Sequence, residues 1–506
     1  MRKSLYLILL DIVFLIISLW IILGFWPGNI YDFIVRRYEA IIIFMGIWVS
    51  MSLLFRKYNP DVSEYIFIAK RTVLSNFSAL VVTTTLMYLF RYLDLSRFVV
   101  FGTVLGATFF NLIMYAFWLL IRQSVEIKEV LPTMPQDSQD NFSESEQYLD
   151  QDVPDDPEKL KSVRWAMEQE LGTDAYLFLS RVLKLTSDTT LIVATTTQFN
   201  IDNQPSGYFN AIVNLKRVND IRWINKFFEA VNTKLPQGGL FICVAETKNQ
   251  RKTRILNKYP VGFNYLFYIF DFIIKRVLPK FSFTKGIYFF LTRGQNRVLS
   301  RAEILGRLYS CGFEAVREEF IQGNYYAVCK KTSIPAYDDE ATYGPLIKLR
   351  RIGMHGKIIK VYKMRTMHPY AEYLQEYMYA KHSLQEGGKF KEDFRVSTLG
   401  RLMRRLWIDE LPMLINLLKG ELKIVGVRPL SKHYFNLYTK DLQKKRIRVK
   451  PGLIPPFYAD NPKTLEEIME SENRYLDSYL RSPLWTDFKY FFLAFYNILV
   501  RRYRSN

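Results

Sequence analysis

The chain has 506 residues, enough for about three domains, and its 49% hydrophobic and 16% aromatic residues exclude a wholly disordered polymer. A net charge of +20 favours anionic partners such as phospholipid headgroups, phosphorylated metabolites or nucleic acid. The three cysteines form no CxxC pair and the four histidines are scattered, so we predict no zinc site and a reducing compartment for the chain after residue 125.

Four apolar runs occupy residues 1–125, which we interpret as a membrane α-helical region. Because a bilayer core is crossed by about 20 apolar residues, we predict about four spans. The runs are Leu5–Phe25, Ala40–Phe55, Thr72–Phe90 and Phe98–Ile121. Asp11 interrupts the first run, either as a functional group or as a tolerated carboxylate paired with Arg97 or a similar neighbour, and we assign it no role.

Basic residues in the short flanks of these runs predict the orientation of the region. If all four runs span, eight lysines and arginines lie on one side and four on the other. The larger group is Arg2, Lys3, Arg56, Lys57, Lys70, Arg71, Arg122 and Lys128, and the smaller is Arg36, Arg37, Arg91 and Arg97. The positive-inside rule then predicts a multi-pass membrane protein with both ends of this region in the cytoplasm.

Residues 126–159 are predicted to be an acidic, disordered linker. Within them, Asp137–Glu158 contains nine acidic residues and neither lysine nor arginine. A segment with so few apolar residues buries too little surface to fold. A regulatory tail that mimics phosphate is one alternative, and a solvated tether agrees better with the composition.

Residues 160–331 have an α/β pattern and predict a Rossmann-like middle domain. Thr190–Thr195 and Leu240–Ala245 are typical of buried strands, and Ile221–Leu235 and Ser300–Cys311 have helical spacing. The order of elements resembles the back half of a class I methyltransferase. The glycine-rich turn that binds a nucleotide-like cofactor is missing, because the first strand ends in threonines. We therefore predict a degenerate, methyltransferase-like domain without the methyl-donor site.

One apolar stretch in this domain has two interpretations. Phe263–Ile274 is almost wholly apolar and is followed by Lys275, Arg276 and Lys280. It is either a core helix or a helix that lies in the membrane interface, and the sequence does not separate the two.

The C-terminal third contains paired acidic residues next to basic clusters. Asp409 and Glu410 precede Pro412 and an apolar run, which predicts that Asp409 lies at a helix N-terminus, where the field of the helix keeps a carboxylate ionised. Beside Arg404, such a carboxylate could attack phosphorus, and Glu410 could hold Mg²⁺. Taken alone, the pair is more often an N-cap Asp followed by a first-turn Glu. For Arg404 and Arg405, one of the two is expected only to face solvent.

Six motifs in one order overturn that plainer interpretation. From Gly344 to Arg502 the chain resembles the bacterial sugar transferase family, the monotopic phosphoglycosyl transferases, whose larger members start from a hexose donor. The matching motifs are Tyr362-Lys-Met-Arg-Thr-Met367, Leu399-Gly-Arg401, Asp409-Glu-Leu-Pro412, Leu418-Lys-Gly420, Val425-Gly-Val-Arg-Pro429 and Lys450-Pro-Gly452.

The resemblance implies a small α+β catalytic domain at residues 344–506, with Mg²⁺ as cofactor. It implies transfer of a sugar 1-phosphate from a nucleotide diphosphate sugar, expected to be a UDP-sugar, to a polyprenyl phosphate. That step begins assembly of exopolysaccharide, capsule or O-antigen type glycans. Carried over by motif, Asp409 is the nucleophile that forms a phosphosugar intermediate and Glu410 the catalytic metal ligand. The implied phosphate-binding residues are Lys363, Arg365, Arg404 and Arg428.

Two departures from the family pattern leave other functions open. Val427 replaces the usual proline, and the stretch before Gly344 is polar where the family has a membrane-dipping helix. The N-terminal spans or Phe263–Ile274 would then replace that helix. The main alternative is a catalytically altered membrane scaffold or regulator of glycan assembly, and an active methyltransferase is a weaker one. We expect no nucleic-acid partner, and a homo-oligomer is possible.

Overall fold

The computed structural model describes residues 2–25, 28–58, 65–90, 96–125, 157–260, 263–337, 343–381, 393–462 and 464–499. The chain divides into two compact units, Met1–Lys128 and Glu129–Asn506. Most of the predicted acidic linker lies outside the described residues, and its last three residues already belong to a helix that begins at Pro157.

The first unit is helical. Three of its helices are long and apolar enough to cross a membrane, and the first contributes a shorter apolar run, Leu7–Leu23. Three of the four predicted spans therefore correspond to helices of sufficient length, and the count of four stays a prediction. The helices are α1 (Arg2–Leu23), α2 (Ile30–Leu54), α3 (Tyr65–Phe90) and α4 (Arg97–Val125).

A buried carboxylate joins these helices. Asp11 on α1 accepts hydrogen bonds from Lys57 Nζ at 2.8 Å, from the Tyr58 hydroxyl at 2.6 Å and from Asn111 Nδ2 at 2.7 Å. Its ion-pair partner is therefore Lys57, which follows α2, and not Arg97. A buried charge that is paired and hydrogen-bonded is a tolerable part of a helical bundle, so the cluster has a structural explanation.

The second unit begins with a sheet segment, residues 157–337, whose centre is a five-stranded sheet of order β1-β2-β3-β5-β4. The first three strands are parallel, and β5 lies antiparallel between β3 and β4. The strands are β1 (Thr190–Val193), β2 (Ala211–Arg217), β3 (Leu240–Ala245), β4 (Phe313–Ile321) and β5 (Asn324–Lys331).

Helices cover both faces of this sheet, because strands buried on two sides need an apolar partner on each. One face packs on α5 and α6, and the other on α8 and α12. Cys243, Cys311 and Cys329 are buried with free thiols. The helices of the segment are α5 (Pro157–Leu171), α6 (Thr173–Val182), α7 (Phe199–Asp202), α8 (Ile224–Lys234), α9 (Lys248–Lys258), α10 (Phe263–Phe272), α11 (Ser282–Thr292) and α12 (Arg301–Ser310).

The burial pattern of α10 is the reverse of an ordinary core helix, because its polar residues are buried and most of its apolar residues are exposed. Its buried residues are polar, Asn264 and Asp271, and Asp271 pairs with Arg251 at 2.7 Å. Most of its apolar side chains and most of those of α11 are exposed, so the core-helix interpretation of Phe263–Ile274 is wrong. The most exposed are Phe263, Leu266, Phe270, Phe283, Phe290 and Leu291.

The C-terminal segment, residues 343–499, opens with a two-stranded hairpin, in which β6 (Leu346–Ile352) pairs antiparallel with β7 (Ile358–Met364). Short helices and a parallel pair of strands follow. They are α13 (Gln375–Lys381), α14 (Thr398–Arg405), α15 (Leu414–Leu418), β8 (Lys423–Val425), α16 (Lys432–Asn436), α17 (Lys440–Arg446), β9 (Gly452–Ile454), α18 (Phe457–Asp460), α19 (Leu465–Arg481) and α20 (Pro483–Leu499).

The two segments pack closely within the second unit. The glycine Gly306 on α12 faces the backbone of Tyr370 so closely that a Cβ there would overlap it. Buried Arg301, also on α12, donates to Glu318 at 2.6 Å and to the Tyr377 hydroxyl at 2.6 Å. The sheet segment therefore supports the start of the C-terminal segment directly.

Candidate active site

A cavity of about 1440 Å³ lies between the sheet segment and the C-terminal segment. Its walls come from β6, β7, the turn that follows α14 and the α10–α11 connection. The structure brings all six predicted site residues to this cavity: Lys363, Arg365, Arg404, Asp409, Glu410 and Arg428. Residues from three separate motifs, together with Arg404, therefore form one site.

The acidic pair lies on a short 3₁₀ helix, Ile408–Met413, and not in the first turn of an α-helix. The cap position is Trp407, which has a φ of 54°, so Asp409 is not an N-cap. A left-handed backbone costs a residue other than glycine about 1 kcal/mol or more. The Trp407 ring packs on Tyr458 at 5.4 Å between ring centres, and both residues line the cavity. This packing stabilises the turn that presents Asp409.

The pKa of Asp409 is set by its surroundings in the cavity. Burial and the neighbouring carboxylate of Glu410 raise the pKa of Asp409 above its ordinary value, against the opposing effects of Lys363 and Arg404. Desolvation by burial is thus the largest influence on this pKa, and it acts against the ionised form. A further cation next to the pair would favour the ionised form that a nucleophile needs.

Lys363 on β7 donates to Glu410 Oε1 at 2.6 Å. A predicted phosphate-binding residue and the predicted metal ligand thus neutralise each other in the ligand-free protein. Both side chains remain partly exposed to the cavity, at 16% and 23% of their surface. Each could exchange its partner when anions and a metal enter.

Sequence reasoning missed Asn416, which sets the position of β7. This fully buried residue of α15 donates to the Lys360 carbonyl at 2.8 Å and accepts from the Tyr362 amide at 3.0 Å. Its side chain pairs with the edge of β7 as a neighbouring strand would. The signal was present, because Asn416 is the one polar residue in the apolar run Met413–Leu418.

The three arginines reach the cavity from different elements. Arg404 donates from Nε to Thr366 Oγ1 at 3.0 Å, and Arg365 donates from Nε to the Gly344 carbonyl at 3.0 Å. Arg428 follows β8 and its side chain is exposed at the cavity wall. Of the adjacent pair Arg404 and Arg405, Arg404 is the one that lines the cavity.

A close backbone approach holds α14, which carries Arg404, in place. Ser397 caps this helix by accepting from the Gly400 amide at 2.9 Å, and its own amide donates to the Thr366 carbonyl at 2.9 Å. A Cβ at Gly400 would overlap the Thr366 backbone. The Leu399-Gly-Arg401 motif is thus explained by packing against the strand end that carries Lys363 and Arg365.

Asp409 and Glu410 are the predicted site residues whose carboxylates could take part in holding a metal. In the part of the chain that the structure describes, no group of three or more His, Cys, Asp or Glu residues could hold a metal ion by itself. Mg²⁺ is commonly held by one or two carboxylates together with substrate phosphates and water. Two carboxylates beside several cations in an open cavity fit that mode of binding.

The sheet segment contributes charged residues to the same cavity that sequence reasoning did not place there. Arg276, Lys280, Glu303 and Arg307 all line it. In the sequence, Arg276 and Lys280 are only basic residues that follow the apolar stretch Phe263–Ile274. Glu303 and Arg307 gave no sequence signal, because helical spacing shows which face of α12 is buried but not what covers it.

Comparison with known proteins gives one family match, Bacterial sugar transferase, over residues 337–501. The chain is 42% identical over 103 residues to an uncharacterized sugar transferase EpsL of Bacillus subtilis and 31% identical over 163 residues to the galactosyl transferase CpsE of Streptococcus agalactiae. It is 32% identical over 172 residues to a UDP-glucose:undecaprenyl-phosphate glucose-1-phosphate transferase of Escherichia coli.

These alignments are partial on both sides. They cover 20%, 31% and 31% of this chain, and 45%, 35% and 34% of the respective relatives. The chain therefore matches less than half the length of each of these relatives. The family match covers the C-terminal segment that carries Asp409 and Glu410.

Proposed function

Residues 337–501 belong to the bacterial sugar transferase family, and from this premise we propose that the protein transfers a sugar 1-phosphate from a nucleotide diphosphate sugar to a polyprenyl phosphate. We infer a UDP-sugar donor, since a relative is named for its use of UDP-glucose and undecaprenyl phosphate. The product would begin the assembly of a surface polysaccharide. One observation carries the proposal: Asp409 and Glu410 share a cavity with Lys363, Arg365, Arg404 and Arg428.

The reaction divides into two displacements at the phosphorus atom attached to the sugar. In the first, Asp409 attacks that phosphorus, an oxygen–phosphorus bond forms, and the bond to the other phosphate breaks, so that the nucleoside monophosphate leaves with the electron pair. In the second, a polyprenyl phosphate oxygen attacks the same phosphorus and releases the Asp409 carboxylate. Both nucleophiles are oxygen anions, so neither step requires a proton transfer.

The cavity residues support this chemistry through charge. Lys363 and Arg404 already act on Asp409 electrostatically, and both favour its ionised form. Arginine forks bind phosphate oxygens through paired hydrogen bonds, and the site offers three of them. Their positive charge offsets the repulsion between the carboxylate and the incoming phosphates, which otherwise opposes the attack.

We propose that Glu410 holds Mg²⁺, which would neutralise phosphate charge when bound. Glu410 would then leave the ammonium of Lys363, its partner at 2.6 Å, and Lys363 would contact a phosphate oxygen. Ligand binding therefore exchanges one neutral pair for two charge-matched contacts. Of the two carboxylates, Glu410 suits the metal because Asp409 must stay free to attack.

Access to the lipid follows from the inverted helices α10 and α11. We infer that their exposed apolar side chains lie in the cytoplasmic interface of the membrane, the interpretation of Phe263–Ile274 that the burial pattern favours. Lys275 and Lys285 flank this apolar surface and line the cavity, where they suit anionic headgroups. The surface thus replaces the family's dipping helix beside Gly344 and brings the lipid phosphate to the cavity.

For the sheet segment we propose a Rossmann-like fold without a methyl-donor site. The parallel order β1-β2-β3 supports the fold. The end of β1 supports the missing site, because Thr195 Oγ1 accepts from Asn200 there, and threonine side chains fill the space that a glycine-rich turn would leave to a cofactor. Binding of S-adenosylmethionine in calorimetry would contradict this assignment.

The substitution Asp409→Asn tests the mechanism. It keeps the shape of the side chain and removes the nucleophilic charge, so we expect transfer to fall by about 10⁴-fold or more. The assay follows nucleoside monophosphate release and labelled sugar phosphate in lipid, with a panel of nucleotide sugars, polyprenyl phosphate and Mg²⁺. Without acceptor, wild type should retain label covalently and Asp409→Asn should not. Asp441→Asn, an exposed carboxylate on α17, is the matched control.

Two results would contradict the proposal. Wild-type turnover by Asp409→Asn would remove the covalent intermediate. A wild-type protein that releases no nucleotide with any donor of the panel would instead favour the scaffold or regulator. Titration of Mg²⁺ on Glu410→Gln adds a test of the metal, since loss of a ligand should raise the Mg²⁺ concentration at half-maximal rate.

A further inference from the structure

The sheet segment adds a cationic wall to the cavity outside the family-matched residues. After α10 the chain runs through the short 3₁₀ turn Leu278–Lys280, and this turn meets the start of the C-terminal segment. A Cβ on Gly344 would lie 3.8 Å from the Lys280 carbonyl. Lys280 and Arg276 therefore line the cavity together with Arg365, whose guanidinium binds the Gly344 carbonyl.

Most charges on this wall are already paired with one another. Arg276 forms an ion pair with Glu303 and donates to the Val298 carbonyl at 2.8 Å. Arg307 binds the other oxygen of Glu303 at 3.0 Å. Glu303 is buried, and each of its two carboxylate oxygens binds one of these arginines.

Lys280 differs from these neighbours. No carboxylate in the described part of the chain lies within ion-pair distance of its ammonium. Burial and the charges of Arg276, Arg365 and Lys248 lower the pKa of Lys280 to about 7, and Glu303 only partly offsets them. The wall thus has an excess of positive charge facing the cavity, which an anion would relieve.

We propose that Lys280, in the field of Arg276 and Arg365, forms an anion subsite through which the sheet segment binds a phosphate group of a substrate. The identity of that substrate rests on the proposed function, which offers two sources: the diphosphate of the donor nucleotide and the phosphate of the lipid. In either case the ammonium donates hydrogen bonds to phosphate oxygens. A charged lysine crowded by cations destabilises the folded chain, and a ligand explains why one is found here.

Equilibrium binding to the full-length protein tests the subsite without requiring turnover. The probes are uridine diphosphate for the donor and polyprenyl phosphate in nanodiscs for the lipid. We expect Lys280→Met to weaken binding of one probe by about tenfold to a hundredfold, the usual effect of losing a hydrogen bond to a charged group. Lys280→Arg should restore most of the affinity. The control Lys161→Met removes an exposed charge from α5 and should change neither affinity.

The outcomes distinguish a role of Lys280 in binding from a role in stability. They also test the subsite independently of the proposed transfer reaction. Loss of uridine diphosphate binding assigns the subsite to the donor, and loss of lipid binding assigns it to the acceptor. Lys280→Met should also leave the unfolding temperature unchanged or raise it. Affinities within twofold of wild type for both probes, or a parallel fall in unfolding temperature and both affinities, would overturn the proposal. The experiment measures binding and does not depend on sugar transfer. If the wild-type protein proved inactive as a transferase, weaker binding by Lys280→Met would therefore still support the subsite.

Discussion

The buried amide of Asn416 offers a test of how the acidic turn and the basic strand are held together. The substitution Asn416→Leu keeps the side-chain volume and removes the bonds to the Lys360 carbonyl and the Tyr362 amide. It also removes the 2.6 Å bond to Glu421, whose carboxylate is only half-buried and can turn to water. The Lys360 carbonyl and the Tyr362 amide of β7 would not gain water as a new partner, because the leucine side chain would cover them.

The expected cost follows from those two groups. A polar group that loses its partner in the interior costs about 1–3 kcal/mol, so the loss at two groups should lower the free energy of unfolding by about 2–6 kcal/mol. For a segment of this size the unfolding temperature should drop by about 5–15 °C. Below that temperature the rate should fall by about 10–100-fold, because β7 carries Lys363 and a displacement of about 1 Å disturbs the reacting geometry.

The assay combines thermal unfolding in detergent with the transfer rate at a temperature where the variant stays folded. Asn436→Leu, an exposed asparagine on α16, is the matched control and should change neither quantity. The reasoning fails if Asn416→Leu unfolds within about 1 °C of wild type. It also fails if stability falls while the rate is retained, since β7 would then not depend on Asn416 for its position.

Two further predictions concern the packing of α14 and the surface of α10–α11. Gly400→Ala should lower both the unfolding temperature and the transfer rate, because the added methyl group meets the Thr366 backbone and moves Arg404. The control Gly286→Ala has open space around it and should be tolerated. Equal unfolding temperatures and rates for the two variants would contradict the close approach at Gly400. A fluorophore attached to Phe290→Cys should be quenched by spin-labelled lipid, and one attached to Trp165→Cys should not. The label should react only with the introduced cysteine, because the native cysteines are buried. Equal quenching at both positions would place α11 outside the membrane interface.

Much of the site could be predicted because its residues occur in short motifs with fixed spacing. The hairpin of β6 and β7 then brings Lys363 and, directly after β7, Arg365 to one end. The backbone of the acidic turn could not be predicted. Trp407 adopts a left-handed conformation that only its packing on Tyr458 explains, and local propensity assigns such a conformation to glycine or asparagine.

The pKa of Asp409 shows the same division. Sequence reasoning considered only the field of its own helix, which lowers the pKa of a carboxyl group. The observed direction depends on burial and on the distances to Glu410, Lys363 and Arg404. These are properties of the assembled cavity, and none of them can be read from spacing along the chain.

The high positive charge illustrates what each level decided. By itself, the sequence determined that the chain has apolar helices long enough for a membrane, an α/β segment, and a sugar transferase segment with six predicted site residues. Only the tertiary structure decided that Lys280 and Arg276 join those residues, that Glu303 is shared by two arginines, and that α10 turns its apolar side outward. The physical reason is that periodicity reports which side of an element is apolar, whereas charge pairing depends on contacts between residues far apart in the chain.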